Sequence, residues 1–193
     1  MGLNPQLILA SSSPRRRDLL ARLAVVPDRV ASPNINETPR KGEVPRVYAL
    51  RMAEEKAQAV SRGDGEIVLA GDTTVAVGRR ILQQAADANM QRGFLQLLSG
   101  RRHHVLSAVA VIDTDGRLRS RISDSIVRFK RLGADEIDAY IDSGEGLGKA
   151  GGYAIQGRAE ALIDWMAGSH SGVIGLPLYE TRTLLRASGY AIG

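Results

Sequence analysis

The segment LILASSSPRRRDLLARL, Leu7 to Leu23, constrains the fold more than any other stretch of the chain. Its four opening apolar residues, Leu7 to Ala10, are too few for a helix and fit a buried strand. Leu19, Leu20 and Leu23 then recur with helical spacing. Ser13 is a good N-cap, and Pro14 suits the first helical position, where its missing N–H has no bond to lose. The chain must therefore turn from strand to helix within three serines, with Arg15, Arg16 and Arg17 in the first helical turn. Hydroxyls, free amides and guanidiniums gathered at a helix N-terminus make an anion site, for phosphate above all. The alternative is an ordinary capped helix with a solvated basic turn, but cations there oppose the macrodipole and need a reason.

Composition narrows the classes. The chain has 193 residues, 44% of them hydrophobic, enough for a well-buried core, and only 4% aromatic, so that core is aliphatic. With no cysteine, disulfides, thiolate metal sites and cysteine nucleophiles are excluded together. The N-terminus shows no signal-peptide pattern and no apolar run reaches membrane-spanning length, so a soluble cytoplasmic protein is expected. Net charge is +5, from 26 basic and 21 acidic residues, and the only lysines are Lys41, Lys56, Lys130 and Lys149. The basic residues are dispersed and not interleaved with aromatics, unlike a nucleic-acid platform. A phosphate-bearing small molecule accounts for the charge equally well, and no nucleic-acid or membrane partner is expected.

Along the chain, Val25 to Ser32 reads as a strand that Pro27 places at an edge or bulge. Ser32 to Pro45 is a polar, proline-containing loop carrying Glu37, a candidate metal ligand. A helix is expected from Pro45 to Arg62, with Val47, Leu50, Ala53, Ala57 and Val60 on its apolar face and Lys56 beside that face. IVLAGDTTVAV, Ile67 to Val77, places Asp72 inside an apolar run, where a carboxylate is costly to bury unless paired or metal-bound. The expected picture is a strand that reaches the sheet's edge at Gly71-Asp72, with the carboxylate in a cleft as cation ligand or general base. A structural aspartate capping a turn through Thr73 or Thr74 is the alternative.

A helix over Asp87 to Leu98 follows, then a hairpin of strands His103 to Asp113 and Leu118 to Leu132. His103 and His104, adjacent on a strand, face opposite ways and are read as structural or rim residues. A short helix, Ala134 to Ser143, precedes GEGLGKAGGYAIQG, Gly144 to Gly157. This is no P-loop: Ser143 and Ala150 break the pattern and no strand precedes it. It reads as a glycine loop presenting Lys149 and Gln156 to a ligand. A strand at Ala161 to Trp165, a turn at Gly168 to Pro177 and a last helix, Pro177 to Ser188, complete the chain. Ser169, His170 and Ser171 are adjacent and cannot readily face one another as a nucleophilic set.

Six blocks, LILASSSPRR, RMAEEKA, AGDTTV, LLSGRRHHV, GKAGGYAIQG and GSHSGVIGLPLYET, occur in order across nearly the whole chain. Together they resemble the Maf family of nucleoside triphosphate pyrophosphatases, formerly described as septum-formation inhibitors. The resemblance implies one α/β domain over residues 1–193: an elongated, mixed, twisted sheet flanked by helices, with two lobes around a central cleft, as in ITPase-like house-cleaning enzymes. It implies hydrolysis of a nucleoside triphosphate between the α and β phosphates with Mg²⁺ or Mn²⁺. Asp72 falls on the family's catalytic aspartate and Glu37 on its acidic loop position, and the two are the implied metal ligands. Arg15, Arg16 and Lys56 fall on phosphate-side cations, Lys56 with a catalytic part, and Ser11 belongs to the same turn. Lys149 is a further cation for the triphosphate. Arg15, Thr73 and Gln156 match the dTTP/UTP-hydrolysing branch more than the 7-methyl-GTP branch, with Thr73 and Gln156 as candidates for reading the base.

One departure stands out. Gln84 takes the place of a family lysine, removing a cation from the implied polyphosphate site; Arg79 and Arg80 are the candidate substitutes, and the sequence leaves both compensation and lowered activity open. Two other readings follow from the residues: a catalytically weakened nucleotide-binding or regulatory protein of cell division, motivated by Gln84, and a basic nucleic-acid-binding module, motivated by the net charge. A homodimer is the default assembly.

Overall fold

The computed structural model describes residues 4–192. Strand β1 (Gln6–Ala10) leads through the serine turn into α1 (Pro14–Ala21), and the edge strand β2 (Arg29–Ala31) follows. Helix α2 (Pro45–Gln58) precedes the long strand β3 (Glu66–Val77), which turns back into the short β4 (Arg80–Leu82). Helix α3 (Ala88–Leu98), the hairpin β5 (Arg102–Ile112) and β6 (Leu118–Phe129), and α4 (Ala134–Asp142) come next. The glycine loop and a 3₁₀ turn over Arg158–Leu162 then give β7 (Ile163–Ala167), α5 (His170–Ile174) and α6 (Leu178–Ala187). The strands form one mixed sheet in the order β2-β1-β3-β5-β6-β7, with β4 on β3. Among the described residues no helix is long and apolar enough to cross a membrane.

Both faces of the sheet are covered, which explains why β1 and β3 read as continuous apolar runs and not as alternating ones. Leu7, Leu9, Leu69 and Val75 pack under α1, α3, α4 and α6, whereas Ile8, Ala10, Val68 and Ala70 face Ala49, Ala53 and Ala57 of α2. The second layer is mostly alanine, so α2 packs close against β3 and β5.

The sheet has a notch at its centre. On one side of β3, residues 66–70 pair in parallel with β1 and residues 75–77 pair with β4. Between them, Gly71 to Thr74 have a strand neighbour only in β5. β3 therefore does not stop at Asp72 as expected. It runs through to Val77, and the opening arises because β1 ends at Ala10 and β4 begins only after the hairpin.

Other boundaries differ for local reasons. The second strand shrinks to three residues after Pro27, and the helix expected to reach Arg62 ends at Gln58. The expected turn at Gly168 to Pro177 contains helix α5, whose N-cap Ser169 accepts the Gly172 N–H.

His103 and His104 do face opposite ways. His103 is buried with Nε2 2.7 Å from the Tyr153 hydroxyl, while His104 Nδ1 meets Asp124 Oδ1 at 2.7 Å on the outside. Burial lowers His103 from 6.5 to about 4, and the Arg101 backbone pulls weakly the other way. The unfolded chain therefore takes up a proton near pH 6.5 that the folded chain refuses until about 4, so this contribution to stability falls as pH drops across that window. The difference is about 3 kcal/mol when complete. In urea unfolding at pH 7 and pH 4.5, the wild type is expected to lose about 2 kcal/mol more than His103→Gln, which has no such titration. Equal losses would show that the His103 proton plays no part.

Candidate active site

The notch opens into a cleft of about 330 Å³ lined by Ser11, Arg15, Arg16, Glu37, Lys56, Asp72, Thr73, Gln84 and Lys149, among others. An adjoining cavity of about 270 Å³ shares Glu37, Asp72, Thr73 and Gln84 and adds Tyr48, Thr74 and Gln83. Together they fall in the size range of small-ligand sites.

At the centre is a buried ion pair. Lys56 Nζ donates to Asp72 Oδ1 at 2.8 Å and to Glu37 Oε2 at 3.0 Å, and the second Asp72 oxygen accepts from Thr74 Oγ1 at 3.0 Å. Lys56 and Asp72 are only 7% and 6% exposed, so neither charge is tolerable without the other. Lys56 lies within the buried stripe of α2, not beside it: Tyr48, Ala49, Met52, Ala53, Lys56 and Ala57 face inward, while Val47 is 54% exposed. The buried stripe is apolar apart from Lys56, whose ammonium is met there by the Asp72 and Glu37 carboxylates.

Glu37 is carried by the long loop, and α2 holds that loop in place. The Tyr48 hydroxyl donates to the Glu37 carbonyl at 2.8 Å and Arg51 Nη2 donates to the Thr38 carbonyl at 3.3 Å. Arg51 also grips Glu43 through two 2.7 Å bonds, which hold that carboxyl down to about 2. Burial, reinforced by Asp72 and Glu37, pushes the Tyr48 phenol up, so it remains a donor.

The same cleft also carries a cationic cluster. Arg16 donates through Nε to the Gly175 carbonyl at 2.9 Å and through Nη1 to Ser11 Oγ at 3.0 Å. Ser11 Oγ also accepts the Ser13 N–H, which leaves its own O–H as a donor. Ser13 itself makes no side-chain cap, so the expected N-cap bond is absent and Ser11 organises the turn instead. Burial lowers the Arg16 guanidinium, with Asp72 and Glu37 acting against that. Arg15 is lowered by burial and then by Arg16, and Lys149 by burial and then by Arg15. Three cations thus crowd the cleft, and burial, with like charge added, depresses Arg15 and Lys149. Such a cluster is stabilised by an incoming polyanion.

Lys149 reaches the cleft because the glycine loop is laced to the chain after β4. Ala85 N–H donates to the Lys149 carbonyl, Gly148 N–H donates to the Ala85 carbonyl, and Gln84 pairs with Ala150. At Gly151, φ is +68° and an added Cβ would stand 2.8 Å from Val75 Cγ1, so only glycine brings the loop this close to β3.

Eight of the residues singled out from the sequence, Ser11, Arg15, Arg16, Glu37, Lys56, Asp72, Thr73 and Lys149, therefore line one cleft. Gln156 does not: it is exposed and outside the residues lining either cavity. Arg79 and Arg80 are exposed and do not line the cleft, so neither replaces the charge missing at Gln84; Arg79 instead reaches the Gly42 carbonyl at 3.4 Å. Sequence reasoning missed Tyr48 and the Gly175 carbonyl, and it named Thr74 only in the alternative reading, as a turn partner of Asp72. Thr74 was accessible from period-2 alternation with Asp72, and Tyr48 from its place two helical turns before Lys56.

The donor set suits a hard divalent cation. Asp72 and Glu37 supply oxygens that already converge on one cationic group, the Lys56 ammonium. Among the described residues, no group of three or more His, Cys, Asp or Glu could hold a metal ion. Two carboxylates with substrate phosphates completing the shell is the usual arrangement for Mg²⁺.

A family profile described as Maf-like protein matches residues 6–188. The dTTP/UTP pyrophosphatase of Sphingopyxis alaskensis is 62% identical over 189 residues, 98% of this chain and 100% of that protein. The dTTP/UTP pyrophosphatase of Novosphingobium aromaticivorans is 60% identical over 187 residues, 96% of this chain and 93% of that protein. Among solved structures, the Ham1 protein of Staphylococcus aureus aligns with a TM-score of 0.49 at 13% identity, covering 94% of this chain and 96% of that one. On its sequence over nearly its full length, this chain belongs to the Maf family.

Proposed function

We propose that this protein is a nucleoside triphosphate pyrophosphatase that hydrolyses UTP and dTTP at the α–β bond, releasing the nucleoside monophosphate and pyrophosphate. The observation that carries the reading is the charge of the cleft lining: the cations Arg15, Arg16, Lys56 and Lys149 line the same cleft as the carboxylates Asp72 and Glu37. The names of the relatives support the same substrate class.

In this reading the β and γ phosphates lie against Arg15, Arg16, Lys149 and the Ser11 hydroxyl, and the α phosphate lies at the notch beside Asp72. Asp72 takes the proton of the attacking water, and Lys56 holds the carboxylate in place and balances charge at the α phosphate. Asp72 and Glu37 are the residues that would hold Mg²⁺ or Mn²⁺, which when bound polarises the phosphate and lowers the pKa of water. The leaving pyrophosphate keeps its contacts with the arginines as charge builds on the bridging oxygen. Thr73, whose Oγ1 is 3.4 Å from the Gly175 carbonyl, lines both cavities and is placed to contact the nucleoside. Gln156 is left out of this proposal because of its exposed position.

A panel of nucleoside triphosphates scored by pyrophosphate release tests the reading. UTP and dTTP are expected to exceed ATP and GTP in kcat/KM by about a hundredfold, the scale on which a shaped pocket rejects a larger base. Equal turnover of purine nucleotides would remove the pyrimidine preference. Release of orthophosphate in place of pyrophosphate would remove the α–β assignment.

A further inference from the structure

We propose that His103 is a positioning residue for the polyphosphate wall: through its bond to the Tyr153 hydroxyl it fixes the glycine loop and so the Lys149 ammonium. The inference rests on the reading of that wall as the polyphosphate subsite. Among the described residues, His103 is the most deeply buried imidazole, 1% exposed, and it makes no contact with the cleft itself. Its ring stacks on Phe129 with centroids 5.9 Å apart and meets Tyr153 edge-on at 5.5 Å, and Phe129 meets Tyr153 edge-on at 5.0 Å. An all-apolar cluster would fill this space without desolvating an imidazole, so the histidine needs a purpose beyond packing.

That purpose is visible in what Tyr153 carries. Its side chain lines the cleft, and it lies four residues after Lys149, just beyond the Gly151-Gly152 pair. A glycine-rich stretch has little stiffness of its own, so its course is set by what holds it, the backbone bonds to Leu82 and Ala85 together with side chains. The side-chain holds come from three elements: Gln91 of α3 donates to the Gly152 carbonyl at 3.1 Å, Tyr140 of α4 accepts the Ala154 N–H at 3.0 Å, and His103 of β5 holds Tyr153. The Gly151 N–H also donates to the Leu82 carbonyl of β4 at 3.2 Å; among the side-chain holds, the His103 bond is the one that reaches the sheet, on the strand that also pairs with Asp72. Burial keeps the phenol protonated and the imidazole neutral, so the bond persists across the physiological range. The sheet thereby sets the spacing between the carboxylates and the Lys149 ammonium.

The test is a double-mutant cycle read by calorimetric binding of inorganic pyrophosphate to the full chain. Tyr153→Phe, which removes one hydroxyl and keeps the ring, is expected to weaken pyrophosphate binding about fivefold, as is His103→Phe. Lys149→Ala is expected to weaken it about tenfold or more. In the Lys149→Ala background, Tyr153→Phe should change affinity less than about twofold, because the group it positions is gone. His103→Gln, whose amide can replace Nε2, should restore binding to near wild type. Independent effects that multiply in the double variant, or unchanged pyrophosphate affinity in Tyr153→Phe, would reduce His103 to a core residue and overturn the proposal. A wild type that binds pyrophosphate with this coupling yet releases none from UTP or dTTP would overturn the hydrolase reading instead.

Discussion

Asp72→Asn is expected to lower pyrophosphate release from UTP or dTTP by about a thousandfold or more, because one substitution removes the base and a cation ligand together. The substitution is nearly isosteric, and the asparagine oxygen can still accept from Thr74 Oγ1, which now bonds Asp72 Oδ2 at 3.0 Å. What is lost is charge. Lys56 keeps only Glu37, whose side chain is 43% exposed, as a counter-ion. Breaking one side of a buried ion pair costs about 3–5 kcal/mol, so the variant's folding must be checked by its melting curve. Pyrophosphate binding separates the two effects, since Arg15, Arg16 and Lys149 are untouched. A folded variant that binds pyrophosphate yet turns over at least a thousandfold more slowly fits the account; turnover within threefold of wild type contradicts it.

Lys56→Met is expected to act in opposite directions on two observables. In the nucleotide-free protein the ammonium stands between Asp72 and Glu37, bonded to each. Removing it frees two carboxylates, so Mn²⁺ affinity without nucleotide, followed by electron paramagnetic resonance, should tighten by about tenfold or more. Turnover should nevertheless fall by about a hundredfold, since the charge that steadies Asp72 and the α phosphate is gone. The variant should also be less stable than wild type without metal, and Mn²⁺ should raise its Tm more, because a ligand that binds only the folded state stabilises it. Weaker Mn²⁺ binding in Lys56→Met would mean that the carboxylates do not form a cation site.

Much of this site was legible in the sequence because its parts are locally encoded. A strand, three serines, a proline and a helix specify the Ser11–Arg16 turn within ten residues. Asp72 declares itself as a carboxylate in an apolar run. What local pattern could not show is where neighbouring strands stop. The notch depends on β1 ending at Ala10 and on the β3–β4 hairpin, which together leave Gly71 to Thr74 open on one side.

The burial of Lys56 was misread for a related reason. Hydropathy ranks Val47 as core and Lys56 as rim, but carboxylates 16 and 19 residues away in sequence meet the ammonium, so Lys56 joins Ala53 and Ala57 on the buried face. Gln156, Arg79 and Arg80 show the converse. Each belongs to or adjoins an informative segment, yet each is exposed and outside the cleft lining. The resemblance to a family carries which blocks are present, not which side chain of each block reaches the cavity.

The most direct test of the central claim is hydrolysis of UTP in H₂¹⁸O with Mg²⁺, with both products analysed by mass spectrometry. Attack of water at the α phosphate, with Asp72 as base and pyrophosphate leaving along the arginine wall, predicts one ¹⁸O in each UMP and none in pyrophosphate. Label in pyrophosphate, or formation of UDP and orthophosphate, would contradict it.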